Sequence, residues 1–499
     1  MADFRIDWQK YSFGLLCVIS LIPVLAFKYL PAVDLPNHIY AALLHAREVN
    51  HGVEHAISAH WVASPYILYH LLMYIPLKLF GWSIASKIVL SLYVLLLPIG
   101  ASMVVREFNP DNRILAFLAF PFIYSYHFEY GFLPYVIGIP FVLIGIAIFS
   151  RCVRKGFTPQ FVLLSALVSI IIYLSHFINF GAYAVGVLII LMYNLHRLRS
   201  SISGIEWLRI LKLILIFVPV TVVFAVYLFE AFGAGMGGAL SIAEFDDVFH
   251  QFTSGIRVLF ATEVRVDAIR VGLLALLVVV LFLNNRKILQ VNLLSVFGAA
   301  TWTLAFVLPR KYFLGGAELS SRFAVFGILA LLLSLQLGWR KFEKTVVLLV
   351  LLVLLVGTAY RIKSYGEIDR LTGRYVESTL ETIPSGSNIL TIQNGFRDSY
   401  LPYMQHSIAY YHVEKGGYSP FLFADQPMVA GIEANIELPW LSEEWHPDDA
   451  RGISEVLPHY DYLVILNNGN KTPDAFSTYA DLVVFEDELT TILDLRSLD

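Results

Sequence analysis

Charge is what this chain has least of. Asp, Glu, Lys and Arg make up 15% of its 499 residues, where soluble domains carry roughly a quarter. Cysteine is almost as scarce. Cys17 and Cys152 both fall in or beside apolar runs, which argues against a disulfide framework and a cysteine-based metal centre. No basic tract marks a nucleic-acid-binding surface. No Walker-type glycine loop occurs, so ATP-driven transport has no support. The N-terminal MADFRIDWQKYS is polar and mixed in charge. The apolar run behind it is too long for a signal-peptide core and no small-residue cleavage site follows, so it reads as an uncleaved first span. Internal repeats and low-complexity segments are lacking too.

Apolar sequence is abundant: 57% of residues are hydrophobic and the mean hydropathy is +0.67. Runs long enough to cross the roughly 30 Å of a bilayer core lie near 12–31, 85–105, 114–128, 133–150, 160–178, 180–195, 210–229, 269–283, 289–309, 322–338 and 345–360. The expected fold class is therefore a polytopic α-helical membrane protein of about eleven transmembrane helices. Basic residues cluster in alternate loops: Arg106 with Arg113; Arg151, Arg154 and Lys155; Arg197, Arg199, Arg209 and Lys212; Arg286 with Lys287; Arg340, Lys341 and Lys344. This alternation obeys the positive-inside rule, provided that the segment 65–80, PYILYHLLMYIPLKLF, does not cross. With Pro76 and Lys78 inside it, the segment is expected to lie flat on the outer interface. The expected location is the bacterial inner membrane, multi-pass, with the N-terminus cytoplasmic and everything after Tyr360 periplasmic.

This topology divides the chain into a membrane module over 1–360, with periplasmic loops at 32–83 and 230–268, and a small soluble periplasmic α/β domain over 361–499. The tail opens on a polar helix-like stretch and the turn Pro384-Ser385-Gly386, and NILTI and YDYLVILNN read as strands.

Ionisable residues near membrane depth are costly, so each asks for a reason. Asp34 stands directly after the first span, at the start of an amphipathic helix, with His38 one turn on. A carboxylate there is able to act as a general base or hold a cation, and an Asp before Leu-Pro is also a good helix N-cap. The stretch 124–134, YSYHFEYGFLP, crowds aromatics around His127 and Glu129, although aromatics are also enriched at membrane interfaces. Arg310, Lys311 and Arg322 bracket a glycine-containing loop on the side where positive charge is normally sparse. Arginine's fork of donors suits phosphate oxygens; interfacial snorkelling is the alternative. His51 and His55 have the spacing of a helical metal pair, but HGVEH lacks the glutamate of H-E-x-x-H. His176, in LSHFINFG, reads as a packing residue. Asp246 and Asp247 read as facing water. The stretch AYYHVEKGGYSPFLFADQP is either domain core or a lid on the membrane face.

Together these features resemble the GT-C superfamily of integral-membrane glycosyltransferases, the class of aminoarabinose and protein O-mannosyl transferases. Asp34 falls where that family has its first-loop acidic residue. The stretch 64–87, SPYILYHLLMYIPLKLFGWSIASK, looks like its second juxtamembrane helix and FG turn. Glu129 matches the second acidic position, and SSRFAVFGILALL resembles the segment in which an arginine meets the lipid-phosphate donor. The chain departs from the pattern in having Asp34-Leu35 in place of adjacent acidic residues, and Glu129 in place of an Asp opening the next span.

The resemblance implies transfer of a sugar from a polyprenyl-phosphate donor to a lipid or glycan acceptor at the periplasmic face. Asp34 would be the base. Glu129 and His127 would orient the acceptor or help hold a divalent cation, with His38 beside Asp34. Arg322, with Arg310 or Lys311, would neutralise the phosphate leaving group. Membrane lipids are the surroundings, nucleic acid is no partner, and no cofactor is called for outright. Two other activities stay open: a non-catalytic transporter or translocator of lipid-linked glycans, and an envelope glycan polymerase or ligase.

Overall fold

The computed structural model describes residues 8–47, 57–198, 206–233, 272, 275, 279, 291–308, 319–336, 343–394, 401–422, 432–436, 438–441, 452–467 and 471–498. It divides into two compact units. The first comprises Met1–Leu25, Ala63–Leu68 and Leu90–Tyr360, and the second Ala26–Val62, Tyr69–Val89 and Arg361–Asp499.

The chain is mainly helical. In order come α1 (Trp8–Ala26), α2 (Leu35–Ala46), strand β1 (Ile57–Ala59) and α3 (Leu68–Phe108). A 3₁₀ helix over Pro110–Phe122 precedes α4 (Tyr126–Glu129), α5 (Leu133–Arg154), α6 (Pro159–Ser175), α7 (Phe177–Leu198) and α8 (Glu206–Gly233). Next are α9 (Leu293–Val307), α10 (Leu319–Leu333) and α11 (Glu343–Thr382). The remainder holds β2 (Ile389–Gln393), α12 (Ile408–Lys415), β3 (Ile432–Ala434), α13 (Ile453–Val456), β4 (Tyr462–Leu466), β5 (Val483–Glu486) and β6 (Thr490–Asp494).

Six helices among the described residues are long and apolar enough to cross a bilayer: those over Trp8–Ala26, Leu68–Phe108, Leu133–Arg154, Phe177–Asn194, Leu211–Phe229 and Glu343–Thr382. Pro159–Ser175, Leu293–Val307 and Leu319–Leu333 are apolar but shorter. Among the described residues the eleven expected α-helical spans are thus not all found. The segment expected to span at 114–128 is instead 3₁₀ helix up to Phe122, then the four-residue α4. Pro110 and Pro121 lack the N–H that an α-helix requires, and Asn112 leaves helical φ/ψ. A 3₁₀ helix rises about 2 Å per residue, so this stretch covers distance with few residues. The segment expected at 269–283 lies almost wholly outside the described residues.

Gly81 interrupts α3 at φ +73°, ψ 171°. No neighbour would touch a side chain there, so glycine is present for its left-handed backbone rather than for space. The break separates the segment up to Phe80 from the apolar run after it.

In the first unit, helix ends are tied by buried polar groups. The Glu107 carboxylate, 3% exposed, accepts bonds from Arg151 (2.9 Å) and Arg154 (2.7 Å), and from Ser150 Oγ. Asn109 Nδ2 donates to the carbonyls of Leu333 and Leu335, and so supplies a donor to carbonyls at the C-terminal end of α10.

In the second unit, a four-stranded sheet runs in the order β2-β4-β6-β5. β2 and β4 are parallel, with Ile389 opposite Tyr462, and the other two pairings are antiparallel. Leu390, Ile392, Leu463, Ile465 and Leu493 join Ile453, Val456 and Leu457 in one apolar core. β1 pairs antiparallel with β3, Ile57 opposite Ala434, which stitches the first loop to the tail. α2 is held to the segment after α12 by Asn37 Nδ2 on the Phe421 carbonyl (3.0 Å) and Tyr40 Oη on the Gly417 carbonyl (3.3 Å). Tyr410, Tyr411 and Tyr418 are buried, so the described part of AYYHVEKGGYSPFLFADQP is core rather than lid.

Candidate functional site

The first unit holds one concentrated polar centre, built where α10, α5 and the α6–α7 junction meet. Arg322, in the first turns of α10, is 7% exposed. Its Nη1 lies 2.7 Å from His176 Nε2. Among the described residues its Nε has no hydrogen-bond partner and no carboxylate pairs with it. The guanidinium carbon stands 4.2 Å from the centroid of the Phe132 ring and 5.4 Å from that of Tyr135. These faces offset part of the cost of desolvating the cation. Tyr135 Oη donates to the Arg322 carbonyl at 2.6 Å, and Asn179 Nδ2 donates to the Tyr135 carbonyl at 2.8 Å. His127 is fully buried, with Nε2 3.0 Å from Ser321 Oγ and Nδ1 without a hydrogen-bond partner.

Electrostatics makes this arrangement unusual. A cation near a helix N-terminus meets the positive end of the helix dipole. His176, the partner of Arg322, caps the N-terminus of α7. His176 accepts the first helical bond, from Phe180 N–H, on its carbonyl, and the N–H of Ile178 on Nδ1 (3.0 Å). The positive end of α7 and a buried guanidinium gather here, and among the described residues no carboxylate pairs with Arg322. Such a centre is suited to an anion.

The second unit holds Asp34. It occupies the N-cap position of α2, but with helical φ/ψ (−85°, −4°) and no side-chain capping bond. The carboxylate is therefore not spent as a cap. Oδ1 lies 3.4 Å from His406 Nε2, both side chains largely buried. His38, one turn along α2, is buried with its ring 5.4 Å from Tyr69 and 5.9 Å from His70. His45 lies between Trp61 (4.6 Å) and His70 (5.3 Å). Among the described residues no three His, Cys, Asp or Glu are grouped to hold a metal ion, so this series is a ring stack.

Of the residues singled out in the sequence, Arg322 and His127 come together in the first unit, His127 through Ser321 beside Arg322. Glu129 is buried in α4 two residues further on. Asp34 and His38 come together in the second unit. Arg310, Lys311, His51, His55, Asp246 and Asp247 lie outside the described residues. Sequence reasoning passed over Tyr135 and His406 and took His176 for packing.

No family model and no curated protein matches the sequence. In structure, the chain is similar to the apo crystal structure of ArnT from Cupriavidus metallidurans, with a TM-score of 0.55 over 98% of each chain and 10% sequence identity. The chain shares the overall fold of that protein. At that identity the likeness concerns the backbone path, and it agrees with the family resemblance carried by the sequence. With six helices long and apolar enough to cross a bilayer among the described residues, the chain is a membrane protein. What it acts on rests on the side chains themselves.

Proposed function

We propose that this chain is a glycosyltransferase of the bacterial inner membrane. It transfers a sugar from a polyprenyl-phosphate donor to a lipid or glycan acceptor at the periplasmic face, with residues 361–499 as a periplasmic α/β domain. The observation that carries the proposal is Arg322: a buried guanidinium, stacked on Phe132 and without a carboxylate among the described residues. A phosphate ester at the membrane would bring negative charge to it, and arginine's planar fork fits its oxygens.

In the reaction, the acceptor hydroxyl attacks the anomeric carbon and its proton passes to the Asp34 carboxylate. The bond between the anomeric carbon and the phosphate oxygen breaks, and its electron pair leaves on the lipid phosphate. Arg322, with Arg310 or Lys311, stabilises that leaving group where its charge develops. Glu129 and His127 orient the acceptor, and His38 keeps company with the base. A divalent cation is an additional proposal that no step here requires.

Native mass spectrometry of the wild type and Arg322→Ala, each with co-purifying lipids, tests the donor half. Polyprenyl phosphate or its glycosyl ester on the wild type and lost from the variant is the expected result. Bulk phospholipid alone on both proteins would remove the donor site. Bound lipid phosphate with no sugar transfer by the wild type to any added acceptor would instead favour a translocator.

A further inference from the structure

Two donors claim the ring of His176. The backbone N–H of Ile178 points at Nδ1 at 3.0 Å, and the Arg322 guanidinium stands 2.7 Å from Nε2. Both groups only donate, whereas a neutral imidazole has one lone pair and one N–H. Whichever tautomer is present, one of these contacts sets a hydrogen against a hydrogen.

The surroundings decide which. Ile178 is the second residue of α7, and its N–H is one of the first-turn donors that no helical carbonyl reaches. It is 1% exposed, so leaving it without an acceptor is costly. An N-cap side chain that accepts from that position is the ordinary solution, and the His176 carbonyl already takes the first helical bond, from Phe180. Nδ1 therefore keeps the lone pair and Nε2 carries the hydrogen, facing the guanidinium donor to donor.

We propose that His176 is a second donor in the anion site, its Nε2–H and the Arg322 Nη1–H converging on one oxygen of the lipid phosphate. This rests on the functional reading above and extends it to a residue that the sequence does not mark. A phosphate oxygen reached by both nitrogens accepts from both, and so turns a mismatch into two hydrogen bonds, each charge-assisted by the anionic acceptor. The pair of donors is thereby poised for an anion. The Nε of Arg322, without a hydrogen-bond partner among the described residues, is a further donor on the same guanidinium. Tyr66 and Tyr135 pack edge-on against the His176 ring, at 4.7 and 5.5 Å between centroids, and hold it in this orientation. His176 is a binding and positioning residue: it moves no proton in the reaction.

The test is nitrogen NMR on full-length protein in lipid nanodiscs, with histidine imidazoles labelled with ¹⁵N and the His176 signals identified by their loss in His176→Gln. The expected spectrum shows the Nε2–H tautomer without ligand, and a shift of the Nε2 signal, not Nδ1, on adding a long-chain polyprenyl phosphate. Affinity for the same lipid should fall about tenfold to a hundredfold in His176→Phe, the scale for losing a hydrogen bond to a charged group, and recover in part in His176→Gln, whose amide donates. An Nδ1–H tautomer, or an unmoved Nε2 signal in protein that has bound the lipid, overturns the proposal even if His176→Phe fails to fold. Loss of binding in Arg322→Ala with unchanged affinity in both His176 variants sinks this inference alone. Unchanged binding in Arg322→Ala sinks the functional reading with it.

Discussion

His406 Nε2 stands 3.4 Å from Asp34 Oδ1. The histidine arrives from the tail and the aspartate from the start of the first loop, and the aspartate's side chain makes no capping bond to its own helix. A carboxylate held by one imidazole keeps its other oxygen available to an incoming hydroxyl. Asp34→Asn should therefore abolish sugar transfer with the fold unchanged, a loss within or beyond the range of about a hundredfold to ten-thousandfold typical of a general base. His406→Gln, which retains a donor, should cost roughly tenfold in kcat and leave KM for the lipid donor in place, as expected of an orienting partner. Transfer assays with a labelled lipid-linked sugar read both. An active Asp34→Asn protein ends the assignment.

At Arg322 the informative substitution is lysine. It keeps the charge but loses the planar fork and the stacking on Phe132 seen at 4.2 Å, and these are what distinguish arginine as a phosphate ligand. Arg322→Lys should weaken polyprenyl-phosphate binding at least about tenfold, with Arg322→Ala weaker still. Equal affinity for Lys and Arg, measured by titrating the lipid into nanodisc-embedded protein, would reduce the site to a point charge.

The sequence announced these two residues and hid their partners, for different physical reasons. Asp34 and Arg322 stand out because charge at a membrane edge is rare. His176 and Tyr135 are ordinary in composition and meet Arg322 across sequence separations of 146 and 187 residues, which no local pattern encodes. The turn at Gly81 was legible because glycine after Phe80 ends one apolar run before another begins. The 3₁₀ stretch over Pro110–Phe122 was not, since hydropathy reports transfer into lipid and is blind to helical pitch; only its prolines hinted at the outcome. In the tail, β2 and β4 are apolar runs and were read as strands, whereas β5 has only four residues and alternates between half-buried and exposed, a weak signal against the charged turn that follows.

Packing around the Arg322 centre makes Gly138 a sensitive position. A Cβ there would fall 1.8 Å from Asn179 Nδ2 and 2.2 Å from Ser175 Oγ, and both atoms belong to the hydrogen-bonded group that ends on the Tyr135 carbonyl. Gly138→Ala should destabilise the protein by about 1–3 kcal/mol, as overpacking typically does. By displacing Asn179 it should also weaken lipid-phosphate binding. Thermal unfolding in detergent and the lipid titration check the two effects, and an unperturbed protein would show that α5 moves aside freely.

The acid sensitivity of the second unit follows from His412. Its ring is buried, with Nδ1 donating to the Gly416 carbonyl at 2.8 Å. Burial disfavours the cation and lowers its pKa from 6.5 to about 4, although the Gly416 carbonyl pulls the other way. The folded-state pKa is depressed, so above pH 6.5 both states are neutral and this histidine adds no pH dependence. Between pH 6.5 and 4 the unfolded chain binds a proton that the folded chain refuses, and stability falls as pH falls, by about 1.4 kcal/mol per unit at most. Over that window the loss from this group approaches about 3 kcal/mol, and below pH 4 it levels off because the folded state is protonated too. His412→Asn keeps a donor for Gly416 and cannot titrate. Hydrogen-exchange protection of peptides covering 401–422 should therefore decline between pH 6.5 and 4 in the wild type and decline less steeply in the variant, after correction for intrinsic exchange. Parallel curves would mean that the imidazole takes up its proton without opening the structure around it.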